Sequence, residues 1–384
     1  MLNFTFHNPT RILFGPGRIA DIGAEIPTAS RVLITYGGGS VVKTGTLAEV
    51  KSALLGHTVF EFGGIEPNPT YETLMLAVEL ARRESIDFLL AVGGGSVIDG
   101  TKFIAAAIPF VGEPWDMLAK HAKIAAALPF GAVLTLPATG SEMNNGAVIT
   151  RRASCDKLAF SNPRLFPCFS VLDPTKTFTL PPRQVANGVV DAFVHITEQY
   201  LTYPADAKVQ DRFAEGLLLT LIEEGPRALA EPDNYEVRAN LMWTATLALN
   251  GLIGAGVPQD WATHMLGHEL TALHGLDHAQ TLAVVLPAML QVRRHEKRAK
   301  LLQYAARVWG LAEGDEESRI DAAIACTRDF FEAMAVPTRL SDYGLSAAVI
   351  PALMAQLERH GMVALGEDRQ LDLARSRAVY ERAV

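Results

Sequence analysis

The sequence predicts an α/β protein in two parts: an N-terminal nucleotide-binding domain of βαβ units around a parallel sheet, and an all-helical C-terminal domain. Three observations support this fold class. The 384 residues exceed what one small core requires. Short β-branched apolar runs alternate with helical segments through the first half, as they do in parallel sheets. The alternation stops near Leu180, where two prolines follow, so we place the domains at residues 1–180 and 181–384.

Four apolar runs in the first part have the length and composition of strands. They are Arg31–Tyr36, Thr58–Phe62, Asp87–Val92 and Ala132–Leu136. Helical patterns separate them and end near Leu55, Ser85 and Ala107. The N-terminal segment Met1–His7 alternates apolar and polar residues, which predicts an edge strand able to pair with another subunit.

The second part is predicted to consist of consecutive helices whose separators contain proline or glycine. The predicted helices are Gln184–Thr202, Ala207–Leu229, Tyr235–Leu252, Gln259–Leu273, His278–Val292, Ile320–Met334, Ala347–Arg359 and Leu371–Arg382. A cleft between the two parts is the expected ligand site.

Composition excludes several classes of protein. The net charge of −8 disfavours binding to a nucleic-acid backbone. The apolar stretch from Ile124 to Ala138 is broken by Pro129, Gly131 and Pro137, so no membrane span is expected. The three cysteines form no C-x-x-C motif, and the N-terminus lacks a basic segment followed by an apolar run. We therefore expect reduced thiols, no signal peptide and a cytoplasmic protein.

Histidines recur at helical spacing in the second part. Three pairs of residues are four apart: Asp191 and His195, His264 and His268, and His274 and His278. Residues at this spacing lie on one face of a helix. Carboxylate and imidazole groups together suit zinc or ferrous iron. The pattern predicts a divalent-metal site, with unconnected surface or core histidines as the alternative.

Two glycine-rich segments each follow a predicted strand and precede a helix. Gly93–Ser96 suits a pyrophosphate, because glycines allow backbone N–H groups to approach the phosphates at a helix N-terminus. The turn Gly37, Gly38, Gly39 and Ser40 carries no acid to bind a ribose 2′-hydroxyl. Its N–H groups, the Ser40 hydroxyl and Lys43 could receive a 2′-phosphate, so the turn favours NADPH. The alternative is a flexible turn indifferent to both cofactors.

Together these motifs resemble the iron-containing (group III) alcohol dehydrogenase family over essentially the whole chain. The matching segments are Gly93–Asp99, Thr139–Glu142, Asp191-x3-His195 and His264-x3-His268-x9-His278. The branch of NADPH-dependent aldehyde reductases and butanol dehydrogenases is the most similar, through Ile34–Ser40, Gly64–Pro69 and Asn187–Phe193.

The resemblance implies a dehydroquinate-synthase-like architecture, with the active site between an α/β domain and a helical domain. It places the metal on Asp191, His195, His264 and His278, with His268 close to the metal but not usually a ligand. His268, water and the cofactor ribose are the candidate relays for the proton, with a packing role as the alternative for His268. Zinc is favoured over iron in this branch. Asp99 would lie near the nicotinamide, and the Gly38 position carries an aspartate in NAD-using relatives. The other positions it implies for cofactor binding are Gly94, Gly95, Ser96, Asn68, Thr135, Thr139, Ser141, Asn144 and Lys157. Relatives are commonly homodimers.

The expected activity is the interconversion of short-chain aldehydes and primary alcohols with NADP(H), the metal acting as a Lewis acid on the substrate oxygen. Trp261, Phe160 or Phe178 could form an apolar pocket wall, with a core role as the alternative for each. Two further hypotheses remain: an NAD-using polyol dehydrogenase and a non-enzymatic metal-binding helical scaffold. A sugar-phosphate cyclase is disfavoured, because Lys and Arg are scarce around the histidine pairs.

Overall fold

The computed structural model describes residues 1–384, which form two compact units. The sheet unit is made of His7–Leu180 and Pro232–Thr246, and the helical unit of Met1–Phe6, Pro181–Glu231 and Leu247–Val384. The main division therefore falls between residues 180 and 181. Met1–Phe6 belongs to the helical unit and Pro232–Thr246 to the sheet unit, so neither unit is one continuous stretch of chain.

Eight strands lie in the sheet unit. They are β1 (Arg11–Phe14), β2 (Arg31–Tyr36), β3 (Thr58–Phe62), β4 (Phe88–Gly94), β5 (Phe130–Leu136), β6 (Gly146–Arg151), β7 (Asp156–Ser161) and β8 (Phe169–Leu172). Six of them form one sheet in the order β1-β8-β5-β4-β2-β3, with every neighbouring pair parallel. β6 and β7 pair antiparallel in a separate hairpin. The predicted parallel sheet is confirmed.

The parallel sheet carries an apolar core on each of its faces. Leu33, Leu89 and Ala91 belong to one core, whereas Val32 and Leu90 belong to the other. Successive residues of a strand point to opposite faces, so a strand covered on both sides must be apolar throughout. This burial explains why the central strands appear in the sequence as continuous apolar runs.

Fifteen α-helices complete the chain. They are α1 (Ile22–Glu25), α2 (Ser40–Lys43), α3 (Thr46–Ala53), α4 (Tyr71–Arg83), α5 (Gly95–Ala107), α6 (Asp116–Ala119), α7 (Pro182–Tyr200), α8 (Lys208–Ala230), α9 (Tyr235–Ala248), α10 (Ala262–His274), α11 (His278–Val292), α12 (Arg298–Arg307), α13 (Glu316–Ala333), α14 (Ile350–Arg359) and α15 (Leu373–Arg382).

In the helical unit, α11 packs against both α7 and α10. α7 begins at Pro182, where the missing N–H costs nothing because the first turn has no intrahelical acceptor. α11 begins with a capping box, in which Asp277 and Gln280 each bond the backbone of the other. These N-terminal residues fix where α7 and α11 begin, and therefore the position of each side chain along its helix. No helix of the chain combines the length and apolarity that crossing a bilayer requires.

Several elements differ from the sequence expectations. β1 and β8 were not predicted, since four residues are too few for a clear period. The hairpin of β6 and β7 was not predicted either. α12 was also not predicted. The second part is not entirely helical, because Ala364–Leu365 and Leu371–Asp372 form a small antiparallel pair, β9 and β10. Met1–His7 forms no strand within the chain.

Candidate metal centre and nucleotide site

Three helices of the helical unit bring four candidate ligands together. Asp191 and His195 lie one turn apart on α7, His264 lies in the first turn of α10, and His278 is the first residue of α11. One ligand atom from each residue can be chosen so that all four atoms lie within 4.8 Å of one another. Residues separated by almost ninety positions therefore meet in one cluster, which we call the four-residue cluster.

Asp191 stands at the centre of the four-residue cluster. Its Oδ1 lies 3.6 Å from His195 Nδ1, 3.9 Å from His264 Nε2 and 3.6 Å from His278 Nε2. These separations exceed hydrogen-bond lengths but suit atoms that share one ion, since two ligands at about 2.0–2.1 Å from a zinc ion are roughly 3.3–3.5 Å apart in tetrahedral geometry.

Burial makes the four-residue cluster suitable for a cation. The side chains of Asp191, His195 and His264 are almost completely buried. Burial, followed by the charge of His264, holds the pKa of His195 well below its ordinary value, so its imidazole is neutral at pH 7. Neither His195 Nδ1 nor His264 Nε2 has a hydrogen-bond partner. Buried polar atoms seldom go unsatisfied, and neutral imidazole nitrogens beside a carboxylate fit a divalent metal.

Glu198 contacts the four-residue cluster through His264, and it was not predicted from the sequence. Its Oε2 contacts Nδ1 of His264, and its Oε1 accepts a hydrogen bond of 2.7 Å from the backbone N–H of Thr263. The signal was present, because Asp191, His195 and Glu198 follow the i, i+4, i+7 pattern of one helix face.

His268 lies beside the cluster, whereas His274 does not belong to it. The ring of His268 is buried and its centroid lies 5.4 Å from that of His278. His274 is the last residue of α10 and lies outside the four-residue cluster. Trp261 lies edge-on to His264, with 5.5 Å between the ring centroids, so it forms an aromatic wall at the cluster. Phe160 instead packs in the core of the sheet unit.

In the sheet unit, the glycine turn at the end of β4 is closely packed. A Cβ on Gly93 would lie 2.6 Å from Val97 Cγ2, and a Cβ on Gly95 would collide with Thr139. β4 ends at Gly94, and α5 begins at Gly95, with Ser96 in its first turn. Any larger residue would push the backbone N–H groups away from the helix N-terminus, which is the usual place for a phosphate.

The second glycine turn, which follows β2, has one open position. Gly39 has φ of 97°, in the left-handed region that disfavours other residues. Gly37 is held close to Ile65, whose carbonyl oxygen would lie 3.2 Å from a Cβ at position 37. A Cβ on Gly38 would meet nothing within 4 Å, and Ser40 starts α2. The absence of a side chain at Gly38 therefore reflects no packing constraint within the chain.

Asp99, Ser141 and Asn144 form one hydrogen-bonded group, which also contains Lys102. Ser141 Oγ donates to Asp99 Oδ1 at 2.5 Å. Lys102 Nζ donates to Ser141 Oγ and Asn144 Oδ1, each at 2.8 Å, and to the carbonyl oxygen of Gly146 at 2.7 Å. Burial lowers the pKa of Lys102 to about 8 and raises the pKa of Asp99, although the two charges favour each other. Sequence reasoning did not find Lys102, because its only signal is the one-turn spacing from Asp99.

Asn68 and Lys157 also meet. Lys157 Nζ donates to Asn68 Oδ1 at 2.9 Å, and the backbone N–H of Asn68 donates to Ser96 Oγ at 3.3 Å. Thr139 packs against Gly95, and Thr135 is half-buried on β5. The residues expected to bind cofactor therefore gather around β4, β5 and the start of α5.

The chain matches known proteins along most of its length. Residues 9–174 match the family of iron-containing alcohol dehydrogenases, and residues 185–383 match the C-terminal part of the Fe-containing alcohol dehydrogenase family. The NADPH-dependent aldehyde reductase YqhD of Escherichia coli (strain K12) is 66% identical over 386 aligned positions, which cover 100% of both chains. NADH-dependent butanol dehydrogenase A of Clostridium acetobutylicum is 38% identical over 97% of each chain.

Solved structures show the same similarity. The crystal structure of E. coli K-12 YqhD superposes with a TM-score of 0.99 at 65% identity, covering 100% of this chain and 99% of that one. NADH-dependent butanol dehydrogenase A from Thermotoga maritima gives a TM-score of 0.96 at 36% identity, with coverage of 100% and 99%. The fold, the two matching regions and these identities lead to one conclusion: the chain belongs to the iron-containing alcohol dehydrogenase family.

Proposed function

We propose that this chain is a metal-dependent, NADPH-preferring alcohol dehydrogenase that acts as a reductase of short-chain aldehydes. The observation that carries the proposal is the four-residue cluster, with ligand atoms within 4.8 Å of one another. The name of the E. coli relative, an NADPH-dependent aldehyde reductase 66% identical to this chain, supports it. The butanol dehydrogenases that are also similar are named as NADH-dependent, so cofactor preference needs an argument from this chain.

The turn after β2 supplies that argument. Gly37, Gly38, Gly39 and Ser40 place no carboxylate where a 2′-phosphate would bind, and Gly38 has open space around it. A phosphate bound there would meet backbone N–H groups and a hydroxyl instead of a like charge. Lys43, in the same short helix as Ser40, adds a nearby positive charge.

In the proposed reaction, the bound metal supplies Lewis-acid polarisation of a carbonyl oxygen and the nicotinamide supplies a hydride. Asp191 and the imidazoles of His195, His264 and His278 would hold the metal. The His278 side chain is 24% exposed, against 4–7% for the other three, so the His278 side of the four-residue cluster is the one open to a substrate. Trp261 excludes water beside His195 and His264. His268, buried next to His278, is the proposed relay for the proton that the alcohol oxygen requires.

The residues around β4 and β5 would hold the cofactor. Gly94, Gly95 and Ser96 present backbone N–H groups and a hydroxyl to the pyrophosphate at the start of α5. The group formed by Asp99, Ser141 and Asn144 would orient the nicotinamide end, and the Asn68–Lys157 pair a ribose. We propose the same cofactor role for Thr135 and Thr139.

Zinc is the metal we propose, with ferrous iron as the alternative. Three imidazoles and one carboxylate are ligands that both ions accept. Zinc takes four such ligands without a preferred d-electron geometry and does not oxidise in air. Elemental analysis of protein prepared without added metal decides between them, and we expect about one equivalent of zinc.

The decisive experiment compares butanal reduction with NADPH and with NADH in the same metal-loaded preparation. We expect kcat/KM to be higher with NADPH by at least about tenfold, and Asp191→Asn to abolish both metal retention and turnover. A metal-loaded protein that bound neither cofactor, measured by quenching of nicotinamide fluorescence, would refute the proposal. The scaffold hypothesis is wrong, because the chain belongs to an enzyme family. No contact in the structure favours a polyol dehydrogenase.

We propose in addition that the enzyme is a homodimer in a reducing compartment such as the cytoplasm. Met1, Leu2, Phe4 and Phe6 are large apolar side chains that are each about half exposed in the single chain. Burying them against a second copy would remove this apolar surface from water. The cysteines Cys155, Cys168 and Cys326 are all free thiols, as expected in a reducing compartment.

A further inference from the structure

We infer that Glu198 is a positioning residue for the metal: it keeps the proton of His264 on Nδ1 and so presents a bare Nε2 to the ion. The inference rests on the proposed function, because it assumes a metal in the four-residue cluster. It assigns a role to a carboxylate that none of the sequence motifs included. The contact between His264 Nδ1 and Glu198 Oε2 carries it.

The two nitrogens of the His264 ring face different partners. Nδ1 contacts the Glu198 carboxylate, whereas Nε2 points toward Asp191, 3.9 Å away, and has no hydrogen-bond partner. A neutral imidazole has one N–H and one bare nitrogen, and a carboxylate can only accept. Beside an ionised Glu198 carboxylate, the proton of a neutral His264 ring lies on Nδ1, which leaves the lone pair of Nε2 directed into the cluster.

Glu198 is itself held in place by two hydrogen bonds and by burial. Its Oε1 accepts from the backbone N–H of Thr263, and its carbonyl oxygen accepts from the backbone N–H of Asp260 at 2.8 Å. Its side chain is only 3% exposed. The next residue, Gln199, donates to the carbonyl oxygens of His195 and Ala248 at 2.7 and 2.8 Å. Few rotamers remain open to Glu198, so the His264 ring is oriented with little loss of entropy when the metal binds.

Charge balance points to the same role. Asp191 and Glu198 are both buried carboxylates of one helix face, and isolated buried charges are costly. A divalent cation among the imidazoles would neutralise the pair of negative charges, one by direct contact and one through the His264 ring. Outer carboxylates of this kind change metal affinity by about ten- to a hundredfold in other metalloenzymes.

A matched control is available in the same helical unit. His360 Nδ1 contacts Glu269 Oε1 at 2.6 Å, and both side chains are buried. This pair has the same donor and acceptor chemistry as His264 and Glu198 but lies outside the four-residue cluster. Glu269→Gln therefore measures what neutralising a buried carboxylate beside a histidine does without a metal ligand.

The test measures metal affinity of Glu198→Gln, Glu269→Gln and the unaltered chain by competition with a chelator, and records the visible spectrum of each after loading with Co²⁺. We expect Glu198→Gln to bind Zn²⁺ about ten- to a hundredfold more weakly and to show altered Co²⁺ bands, whereas Glu269→Gln matches the unaltered chain. Equal affinities for all three, or an equal loss in both variants, would overturn the inference. An unaltered chain that bound no metal would instead overturn the proposed function, and the inference with it.

A second measurement does not use Glu198→Gln and so remains decisive if that variant fails to fold. Selective ¹⁵N labelling of histidines in the Zn²⁺-loaded chain reports the tautomer of each ring. We expect His264, assigned by the loss of its signals in His264→Gln, to carry its proton on Nδ1 and the metal on Nε2. Metal bound at Nδ1 of His264 would contradict the inference.

Discussion

The rings of His195 and His264 are stacked, with 4.6 Å between their centroids and 22° between their planes. Each ring has a buried nitrogen without a hydrogen-bond partner, and the charge of one lowers the pKa of the other. Two such imidazoles repel each other when both are protonated, whereas both can bind the same cation when they are neutral. The metal-free cluster is therefore a locally unfavourable arrangement that a metal relieves.

We predict that metal binding stabilises the whole protein. A ligand that binds only the folded state stabilises it by about 4 kcal/mol at a concentration a thousand times its Kd. Removal of the metal with a chelator should lower Tm by about 5 °C or more, and one equivalent of Zn²⁺ should restore it. Differential scanning calorimetry measures both. The same Tm with and without metal, in protein shown to bind it, would contradict the prediction.

His268→Gln should reduce kcat while leaving the metal in place. General acid–base groups contribute about 10²–10⁴-fold, so a loss of about a hundredfold in butanal reduction is expected if His268 moves the proton. Metal content and the KM for NADPH should not change. His274→Gln, on the same helix but outside the cluster, is the matched control and should keep full activity. A His268→Gln enzyme within threefold of the parent would show that the proton takes another route.

Gly38→Asp should shift the cofactor preference toward NADH. A side chain fits at Gly38, and an acid there would face the 2′-phosphate. Two like charges about 4 Å apart repel by about 4 kcal/mol at an effective permittivity of 20, which solvent reduces at this exposed turn. We expect kcat/KM for NADPH to fall by about a hundredfold and that for NADH to change by less than about threefold.

Gly38→Ala serves as the control for losing the glycine, and steady-state kinetics with both cofactors measures the outcome. Alanine should leave the NADPH preference unchanged. The φ of position 38 lies outside the left-handed region, and a Cβ there would meet no other atom within 4 Å. If alanine removed the preference as fully as aspartate does, backbone flexibility rather than charge would set the cofactor choice.

Lys102 should make the free energy of unfolding rise with pH above about 8. Its pKa is lowered to about 8 in the folded chain, first by burial, from 10.5. The charged form is therefore disfavoured by folding at every pH below about 8, and this cost disappears as pH rises from about 8 to 10.5. Above pH 8, the neutral amine has two N–H donors for its three acceptors, so one of its contacts to Ser141, Asn144 and Gly146 is lost.

Lys102→Met isolates this effect. Relative to the variant, the unaltered chain should gain up to about 3 kcal/mol of unfolding free energy between pH 8 and 10.5, measured by urea denaturation. Over the same range its KM for NADPH should rise, and that of the variant should stay level. Parallel stability curves for the two proteins across this range would contradict the assignment of the shift to Lys102.

Deletion of Met1–Phe6 should convert the proposed dimer into a monomer. Light scattering at about 10 µM is the measurement, with near-ultraviolet circular dichroism as the check on folding. Phe4→Glu and Phe6→Glu together are a gentler variant, because they keep the backbone contact from Leu2 N–H to the Gly256 carbonyl oxygen. A dimer that survived both changes would place the interface elsewhere.

The sequence predicted the parts of the fold that have strong periodicity. β2 and β3 were predicted with their bounds as observed, and α11 with both ends correct. Long elements and glycine turns carry their own local signals. β1 and β8 do not, because a four-residue strand becomes recognisable only through the neighbour with which it pairs.

The candidate site, too, could be predicted only where the sequence carries a local signal. The i, i+4 spacings predicted the pairs Asp191 with His195, His264 with His268, and His274 with His278. The family resemblance then selected Asp191, His195, His264 and His278 as the metal ligands. Spacing alone could not show that α7, α10 and α11 meet, since that depends on how the helices pack. Glu198 and Lys102 went unnoticed because a buried charge in a helix looks like a surface charge until its partners in space are known.

The exchange of segments between the two units has a consequence for biosynthesis. Met1–Phe6 emerges from the ribosome some 250 residues before its backbone partner, Gly256. Pro232–Thr246 likewise completes the sheet unit long after Leu180 has been made. The six residues Met1–Phe6 therefore cannot take their place in the helical unit until the segment around Gly256 has been synthesised.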